Sequence, residues 1–290
     1  MTATPDTGNP ITIRAGYDIR FACAVPTPLV LMLSVHPSRR ADMLLPDNIV
    51  TDPTLLVTSY TDSFGNLCHR MVAPAGETRL HTDFLIADSG LPDAIAVDAR
   101  EVPIAQVPHE ALQYVLPSRY CDSEALMDFA WKTFGSMPSG WSRVQAIVDH
   151  VHSHIRFDYQ QARPTRTASE AFSEGVGVCR DYAHLAVALC RCLNIPARYV
   201  TGYLPDIGVE DPLLPMDFSA WFQVWLGDRW HDFDARNNAP RIGRILMATG
   251  RDAADVAIST AFGNATLAKF DVICEEVDAV ASAEMMRAVA

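Results

Sequence analysis

The first hundred residues alternate short apolar runs with turn-forming residues. Runs of this kind, such as LHTDFLI at 80–86, are typical of β-strands because β-branched and large apolar side chains pack well on a pleated surface. The segment DSFGN at 62–66 predicts a hairpin loop between two of the runs. Strands at such short intervals indicate an all-β sandwich. We therefore predict a β-sandwich domain over residues 11–107, preceded by a flexible segment of residues 1–10.

The pattern changes in the second half to apolar positions spaced three and four residues apart. Residues 142–154 show this spacing, and Ser142 is a suitable N-cap, so a helix is predicted there. Further helices are predicted over 123–134 and 179–193, the last ended by Asn194 and Pro196. Strands follow at 197–204 and in a hairpin. Helices followed by an antiparallel sheet predict an α+β core domain over residues 108–290.

The hairpin is predicted around the dipeptide Gly227-Asp228, which suits a two-residue turn. Because side chains alternate faces along a strand, this register also predicts which residues share a face. Ser219, Trp221, Gln223, Asp232 and Asp234 would lie on one face, and His231 on the other. The predicted cross-strand pairs are Leu226 with Arg229, Trp225 with Trp230, Gln223 with Asp232, Trp221 with Asp234, and Ser219 with Arg236.

Cys179 stands where a glycine-rich loop turns into an apolar helix, in the sequence GVGVCRDYAHL at 175–185. The N-terminus of a helix carries unpaired backbone N–H groups and a partial positive charge, which favour a thiolate over a thiol. The pKa of Cys179 is therefore expected to be lowered, and the residue is a candidate nucleophile.

Several segments together resemble the transglutaminase-like superfamily, whose members have a papain-like α+β core and a Cys-His-Asp triad. The resemblance implies a nucleophile at Cys179 and an orienting acid at Asp234. One departure stands out, because Ser219 occupies the position of the catalytic histidine. The segments that carry the resemblance are 175–185, 188–204, 217–225 and 231–238.

The predicted hairpin places Ser219 diagonally across from Asp234, at a Cβ–Cβ separation of about 7–8 Å. An imidazole at position 219 would span this gap, whereas a serine hydroxyl does not. Trp221 and Gln223 share the face of Ser219. They are therefore candidate substrate-binding residues, although a large aromatic side chain such as Trp221 is equally typical of a core.

Other histidines are weaker candidates for the missing base. His184 is five residues after Cys179 on the same helix and leaves from another face, which favours a packing role. His150 and His154 are one helical turn apart, a spacing that can hold a metal ion, but no further cysteine or carboxylate completes a ligand set. His231 would need a register shift to turn toward the site. No metal and no cofactor is predicted.

Composition limits the remaining possibilities. Seven cysteines without a paired framework predict a reduced protein, and the sequence shows neither a leader segment nor a membrane span, so a cytoplasmic location is expected. A net charge of −12 without a basic cluster argues against nucleic acid and anionic membranes as partners. Residues 205–215 form an acidic loop, interpreted either as a solvated connector or as a rim that attracts a cationic substrate.

Three functions fit these observations. The first is a cysteine peptidase, amidase or acyltransferase acting on a peptide, protein or small acyl substrate, with activity impaired or lost because Ser219 replaces the histidine. The second is a non-catalytic binding module on the same fold. The third is an engineered inactive form of an active cysteine peptidase. The oligomeric state is not predicted.

Overall fold

The computed structural model describes residues 9–210 and 215–289 and has the predicted α+β architecture. None of the helices in these two ranges combines the length and the apolar character that crossing a membrane requires. Short 3₁₀ turns connect several elements. The α-helices are α1 (His109–Leu112), α2 (Met127–Phe134), α3 (Trp141–His154), α4 (Ala168–Glu174), α5 (Cys179–Cys192) and α6 (Ala279–Val289).

Fifteen strands are found in the described residues, and most of them pair in three antiparallel sheets. The first seven are β1 (Ile11–Cys23), β2 (Thr27–Leu31), β3 (Met43–Leu45), β4 (Val50–Asp52), β5 (Thr58–Thr61), β6 (Leu67–Ala73) and β7 (Gly76–Asp88). The others are β8 (Arg156–Phe157), β9 (Val176–Gly177), β10 (Ala197–Tyr203), β11 (Ser219–Leu226), β12 (Arg229–Phe233), β13 (Ile245–Gly250), β14 (Ser259–Ala261) and β15 (Ala265–Val277).

The amino-terminal half consists of two sheets that enclose an apolar core. One sheet has the order β15-β1-β7-β3, with β4 also pairing with β7, and the other has the order β14-β2-β6-β5. Residues of β1 such as Ile13 and Ile19 pack with Leu29, Leu31 and other buried side chains between the sheets. The predicted hairpin loop at 62–66 is confirmed, because Thr61 pairs with Leu67 across it.

The last strands of the chain complete these amino-terminal sheets. β15 pairs with β1 along almost its whole length, and β14 pairs with β2. The predicted boundary, with all of residues 108–290 in one core domain, is therefore wrong for residues 259–277. Alternation of apolar and polar residues identifies a strand, but the partner of that strand depends on which free edge it reaches in the folded chain.

The second half is built around α5, which packs on the sheet with the order β12-β11-β10-β13. Twelve of the fourteen side chains of α5 are buried, because α2, α3, α4 and the sheet surround it. The predicted helix over 142–154 is observed as Trp141–His154, with Gly140 rather than Ser142 at the N-cap. After α5 the chain turns at Asn194, whose φ is +61°.

The two halves share one continuous apolar interface. Tyr203 from β10 and Ile245 from β13 belong to the same buried cluster as the sandwich residues. Phe218, which precedes β11, packs edge-on against Tyr203 and Tyr17, with ring centroids 5.0 and 6.4 Å apart. The start of β11, where Ser219 lies, is thereby fixed against both halves.

Candidate active site around Cys179

Cys179 is the first residue of α5, as the sequence predicts. The turn before it is closed by Asp181, whose Oδ2 accepts from the backbone N–H of Val178 at 2.9 Å and pairs with Arg166 at 2.9 Å. Gly177 is required for this arrangement, since an added Cβ there would lie 2.6 Å from the Cβ of Asp181. The cysteine is therefore held on a rigid element.

The surroundings of the sulfur differ from the expectation of a lowered pKa. Burial raises the pKa of the Cys179 thiol, and the carboxyl group of Asp217 acts in the same direction. Arg236 and the backbone N–H groups of Ala220 and Arg180 lower it, but by less than burial raises it. Desolvation of a charged sulfur thus outweighs the helix terminus and the nearby cation.

Cys179 is nevertheless the most accessible of the seven cysteines, because it is half-buried and the other six are buried. Burial also raises the pKa of Cys121 to about 12 and that of Cys192 to about 11. We expect brief treatment with iodoacetamide to label Cys179 first. Since its pKa is raised, the labelling rate should keep increasing above pH 8 and show no plateau near neutrality.

Peptide mapping by mass spectrometry at several pH values measures this labelling. A Cys179→Ala variant gives the background from the buried cysteines. Faster labelling of Cys68 or Cys121, or a rate for Cys179 that is already constant between pH 6 and pH 8, would contradict the structure.

Ser219 lines a cleft that we call the Ser219 cleft. Its polar wall includes Tyr159, Asp217, Ser219, Arg236 and Arg241. Ser219 is the first residue of β11, and the next residue, Ala220, belongs to the apolar cluster against which Cys179 packs. No histidine lines the cleft within the described ranges 9–210 and 215–289. Residues 211–214 of the predicted acidic loop lie outside those ranges.

The β11–β12 hairpin has the predicted two-residue turn, and three predicted pairs are confirmed: Leu226 with Arg229, Trp225 with Trp230, and Gln223 with Asp232. The pairs of Trp221 with Asp234 and of Ser219 with Arg236 are not formed, because β12 ends at Phe233. Asp232, not Asp234, accepts hydrogen bonds from Trp221 Nε1 and Gln223 Nε2, both at 2.8 Å.

Asp234 is held in a buried network of its own. Its Oδ2 accepts from Arg244 Nη2 at 3.0 Å and from Asn237 Nδ2 at 2.8 Å. The Nε of the same arginine donates to Asp93 at 2.8 Å. Burial raises the pKa of Asp234, but Arg244 and Asn237 outweigh it, and the net shift is downward. Asp234 lines a pocket other than the Ser219 cleft, and its place diagonally across from Ser219 stays a prediction.

The two predicted substrate-binding residues are occupied by internal contacts. Trp221 is 2% exposed, and the guanidinium of Arg244 lies 5.0 Å from the centroid of its ring. Gln223 Oε1 accepts from both Nε and Nη2 of Arg198. A residue that contacts substrate needs accessible surface, which Trp221 lacks, so Trp221 is part of the core. Gln223 orients its neighbours.

The remaining histidines have structural roles. His184 is fully buried, stacks on Tyr120, and accepts from the N–H of Ala253 at 3.1 Å. His150 and His154 stack on each other, with centroids 5.3 Å apart. His231 lies on the opposite face of the hairpin against Trp141, as the register predicts. Among residues 9–210 and 215–289 no cluster of three His, Cys, Asp or Glu side chains is arranged to hold a metal ion.

Part of the chain is similar to proteins of a known family. A family model of the transglutaminase-like superfamily matches residues 130–235, which contain Cys179, Ser219 and Asp234. Residues 130–235 are a transglutaminase-like core. A crystal structure of a candidate cysteine protease from Cytophaga hutchinsonii superposes on the chain with a TM-score of 0.81 and 29% identity, covering 93% of this chain and 92% of that one.

Curated relatives match a smaller part of the chain. An uncharacterized protein of Mycobacterium leprae is 36% identical over 91 residues, which are 30% of this chain and 32% of the relative. An uncharacterized protein of Mycobacterium tuberculosis is 36% identical over 124 residues, 38% of this chain and 39% of the relative. The chain thus spans 32% and 39% of the length of these two curated relatives.

Two charged residues that influence the pKa of the Cys179 thiol, Asp217 and Arg236, were not singled out from the sequence as site residues. Both directly flank motif residues, since Asp217 is two positions before Ser219 and Arg236 two positions after Asp234. Arg244, which neutralises Asp234, is ten positions farther along and carries no comparable signal. Its role follows only from the fold.

Proposed function

We propose that the protein is a transglutaminase-like acyl-transfer protein in which Cys179 attacks the carbonyl of a peptide, protein or small acyl substrate. The supporting observation is the position of Cys179 at the start of α5, half-buried and with the N–H groups of Ala220 and Arg180 near its sulfur. Backbone N–H groups in such a place can stabilise the oxyanion that forms when a thiolate adds to a carbonyl.

The absence of an imidazole at position 219 limits this chemistry. A cysteine depends on its base less than a serine does, because a fraction of the thiol is ionised near neutral pH. Arg236 favours this ionised form, while burial opposes it. The first bond-forming step is therefore retained at a reduced rate in this proposal.

The leaving group determines which substrates lose most of their hydrolysis rate. An amine must be protonated as it leaves, whereas a thiolate leaves without a proton. The hydroxyl of Ser219 is a poor proton donor. We therefore expect thioesters to react faster than amides of the same acyl group.

The experiment compares hydrolysis of an acyl thioester and of the matching anilide by the wild-type protein and by Cys179→Ala. Cys179→Ala should reduce thioester hydrolysis to the uncatalysed rate, because it removes the nucleophile. Cys23→Ala, which removes a buried thiol in the sandwich, is the matched control and should retain the wild-type rate. Equal rates for wild type and Cys179→Ala would rule out the proposal.

One observation favours a second function, a non-catalytic binding module. The carboxylate of Asp234 already accepts three hydrogen bonds, two from Asn237 and one from Arg244, which leaves it less able to orient a base. In this alternative the Ser219 cleft binds a peptide or small ligand without converting it. Wild-type protein that is labelled at Cys179 but hydrolyses no thioester would support this function.

A further inference from the structure

Arg236 supplies a positive charge to the Ser219 cleft and lies two residues after Asp234. Among residues 9–210 and 215–289 its side chain forms neither an ion pair nor a hydrogen bond. Arg241, which lines the same cleft, is by contrast paired with Asp206 at 3.0 Å. A guanidinium left without a counter-ion on a concave surface is a candidate for binding an anion.

Packing fixes the position of the Arg236 guanidinium. Its central carbon lies over the ring of Phe157, 4.2 Å from the centroid, and Tyr159 packs edge-on against the same ring at 4.9 Å. The backbone oxygen of Arg236 accepts from His152 Nδ1 at 3.0 Å. A guanidinium that covers an aromatic ring with its face keeps its N–H groups along the edge. A planar carboxylate can accept two parallel hydrogen bonds from such an edge.

A second guanidinium adds donor capacity to the cleft wall. Arg241 is only 7% exposed and uses Nη2 for its bonds to Asp206 and to the backbone oxygen of Pro205. Its Nε is buried and has no hydrogen-bond partner within the described part of the chain. Buried donors are normally paired, because an unpaired one costs free energy. The fold therefore leaves the donors of both arginines incompletely used.

The acidic groups of the cleft do not neutralise Arg236. Asp206 is paired with Arg241, and Glu210 is exposed, where water and salt screen its charge. Asp217 also lines the cleft, but in the described ranges it forms no ion pair with Arg236. A carboxylate brings a single negative charge to these surroundings. A phosphate monoester brings nearly two and would be repelled more strongly by Glu210 and Asp217.

We propose that the Ser219 cleft selects acyl substrates that carry a carboxylate, and that Arg236 binds this carboxylate. The inference rests on the proposed function for the reaction at Cys179, whereas binding of the carboxylate is measurable by itself. Cys179 packs against the apolar cluster that contains Ala220, and Ser219, the residue before it, lines the cleft. The start of β11 therefore connects the wall of the cleft with the surroundings of the thiol.

The test compares three thioesters that differ in one group. N-succinyl-alanine thiobenzyl ester carries a carboxylate, its methyl ester is neutral, and β-alanyl-alanine thiobenzyl ester carries an ammonium group. We expect kcat/KM of the wild-type protein to be about 10- to 100-fold higher for the succinyl compound than for its methyl ester, the range for a hydrogen-bonded charge pair. Arg236→Gln should abolish this preference and leave kcat/KM for the methyl ester unchanged.

Two further variants serve as controls. Arg229→Gln removes an exposed arginine at the start of β12, outside the cleft, and should keep the full preference. Arg236→Lys keeps the charge but loses the planar pair of donors, so its preference should be intermediate. Equal urea midpoints for Arg236→Gln and Arg229→Gln show that the difference between them does not arise from unfolding.

Equilibrium binding separates this inference from the proposed function. Titration calorimetry of Cys179→Ala with N-succinyl-alanine amide, with its methyl ester and with inorganic phosphate measures binding without turnover. The carboxylate should bind about 10- to 100-fold more tightly than the methyl ester, and the double variant Cys179→Ala with Arg236→Gln should lose this difference. That result would confirm the role of Arg236 whatever the rate of hydrolysis.

Three outcomes would overturn the inference. If hydrolysis requires Cys179 but the carboxylate and its methyl ester bind equally, the role of Arg236 is wrong and the nucleophile is right. Faster hydrolysis of the β-alanyl thioester than of the succinyl thioester would show a preference for cations. Tighter binding of phosphate than of the carboxylate would assign the cleft to a different anion.

Discussion

The variant Ser219→His should hydrolyse activated amides about 10²- to 10⁴-fold faster than the wild-type protein, the range typical of a positioned general base. Cys179 packs against the apolar cluster that contains Ala220, so the preceding residue, 219, lies near the thiol. An imidazole at position 219 can take the thiol proton and later protonate the leaving amine. We expect the lower part of the range, because Asp234 is held by Arg244 and Asn237.

The measurement is the initial rate on a panel of activated amides and esters. The double variant Ser219→His with Cys179→Ala should lose the whole gain, which excludes a contaminating hydrolase. A variant that is folded, is still labelled at Cys179, and hydrolyses the panel no faster than wild type would argue for the binding module.

The variant Asp234→Asn should lower the free energy of unfolding by about 3 kcal/mol, the lower end of the range for removing one partner of a buried ion pair. The side chains of Asp234 and Arg244 are 3% and 7% exposed, so the remaining guanidinium would stay buried without this partner. The lower end applies because Asp93 still accepts from Arg244 at 2.8 Å.

Urea denaturation, followed by tryptophan fluorescence, measures the decrease in the free energy of unfolding. The matched control is Asp83→Asn, which removes a partner of Arg14 in a surface pair and should cost about 0–1 kcal/mol.

The stability difference should also depend on pH. Because the pKa of Asp234 is lowered in the folded protein, its ionised form stabilises the fold above the ordinary aspartate pKa of about 3.9. This stabilisation is lost as the pH falls through the lowered pKa. The free energies of unfolding of the wild-type protein and of Asp234→Asn should therefore converge in acid. An equal loss for both variants at pH 7 would contradict a structural role for Asp234.

These predictions give the residues of the family motif different roles. Asp234 aligns with the orienting acid of the resemblance, yet it forms a buried ion pair with Arg244. Arg244 also lies over the ring of Trp221. Asp234 therefore stabilises the connection after β12.

Much of the local structure was predictable because its signals are local. The glycine-rich turn into α5, the hairpin turn at Gly227-Asp228 and the first three cross-strand pairs follow from turn chemistry and side-chain alternation. The packing role of His184 followed from its position around the helix. The register failed where β12 ends, since nothing in the alternating pattern marks Phe233 as its last residue.

The sequence by itself determined the α+β class, the transglutaminase-like core and the place of Cys179 at a helix start, because these depend on contiguous patterns of residues. Only the tertiary structure decided that β14 and β15 complete the amino-terminal sheets, that Arg244 forms an ion pair with Asp234, and that burial raises the pKa of the Cys179 thiol. Each of these depends on groups brought together from distant parts of the chain, and on the desolvation that results when they pack.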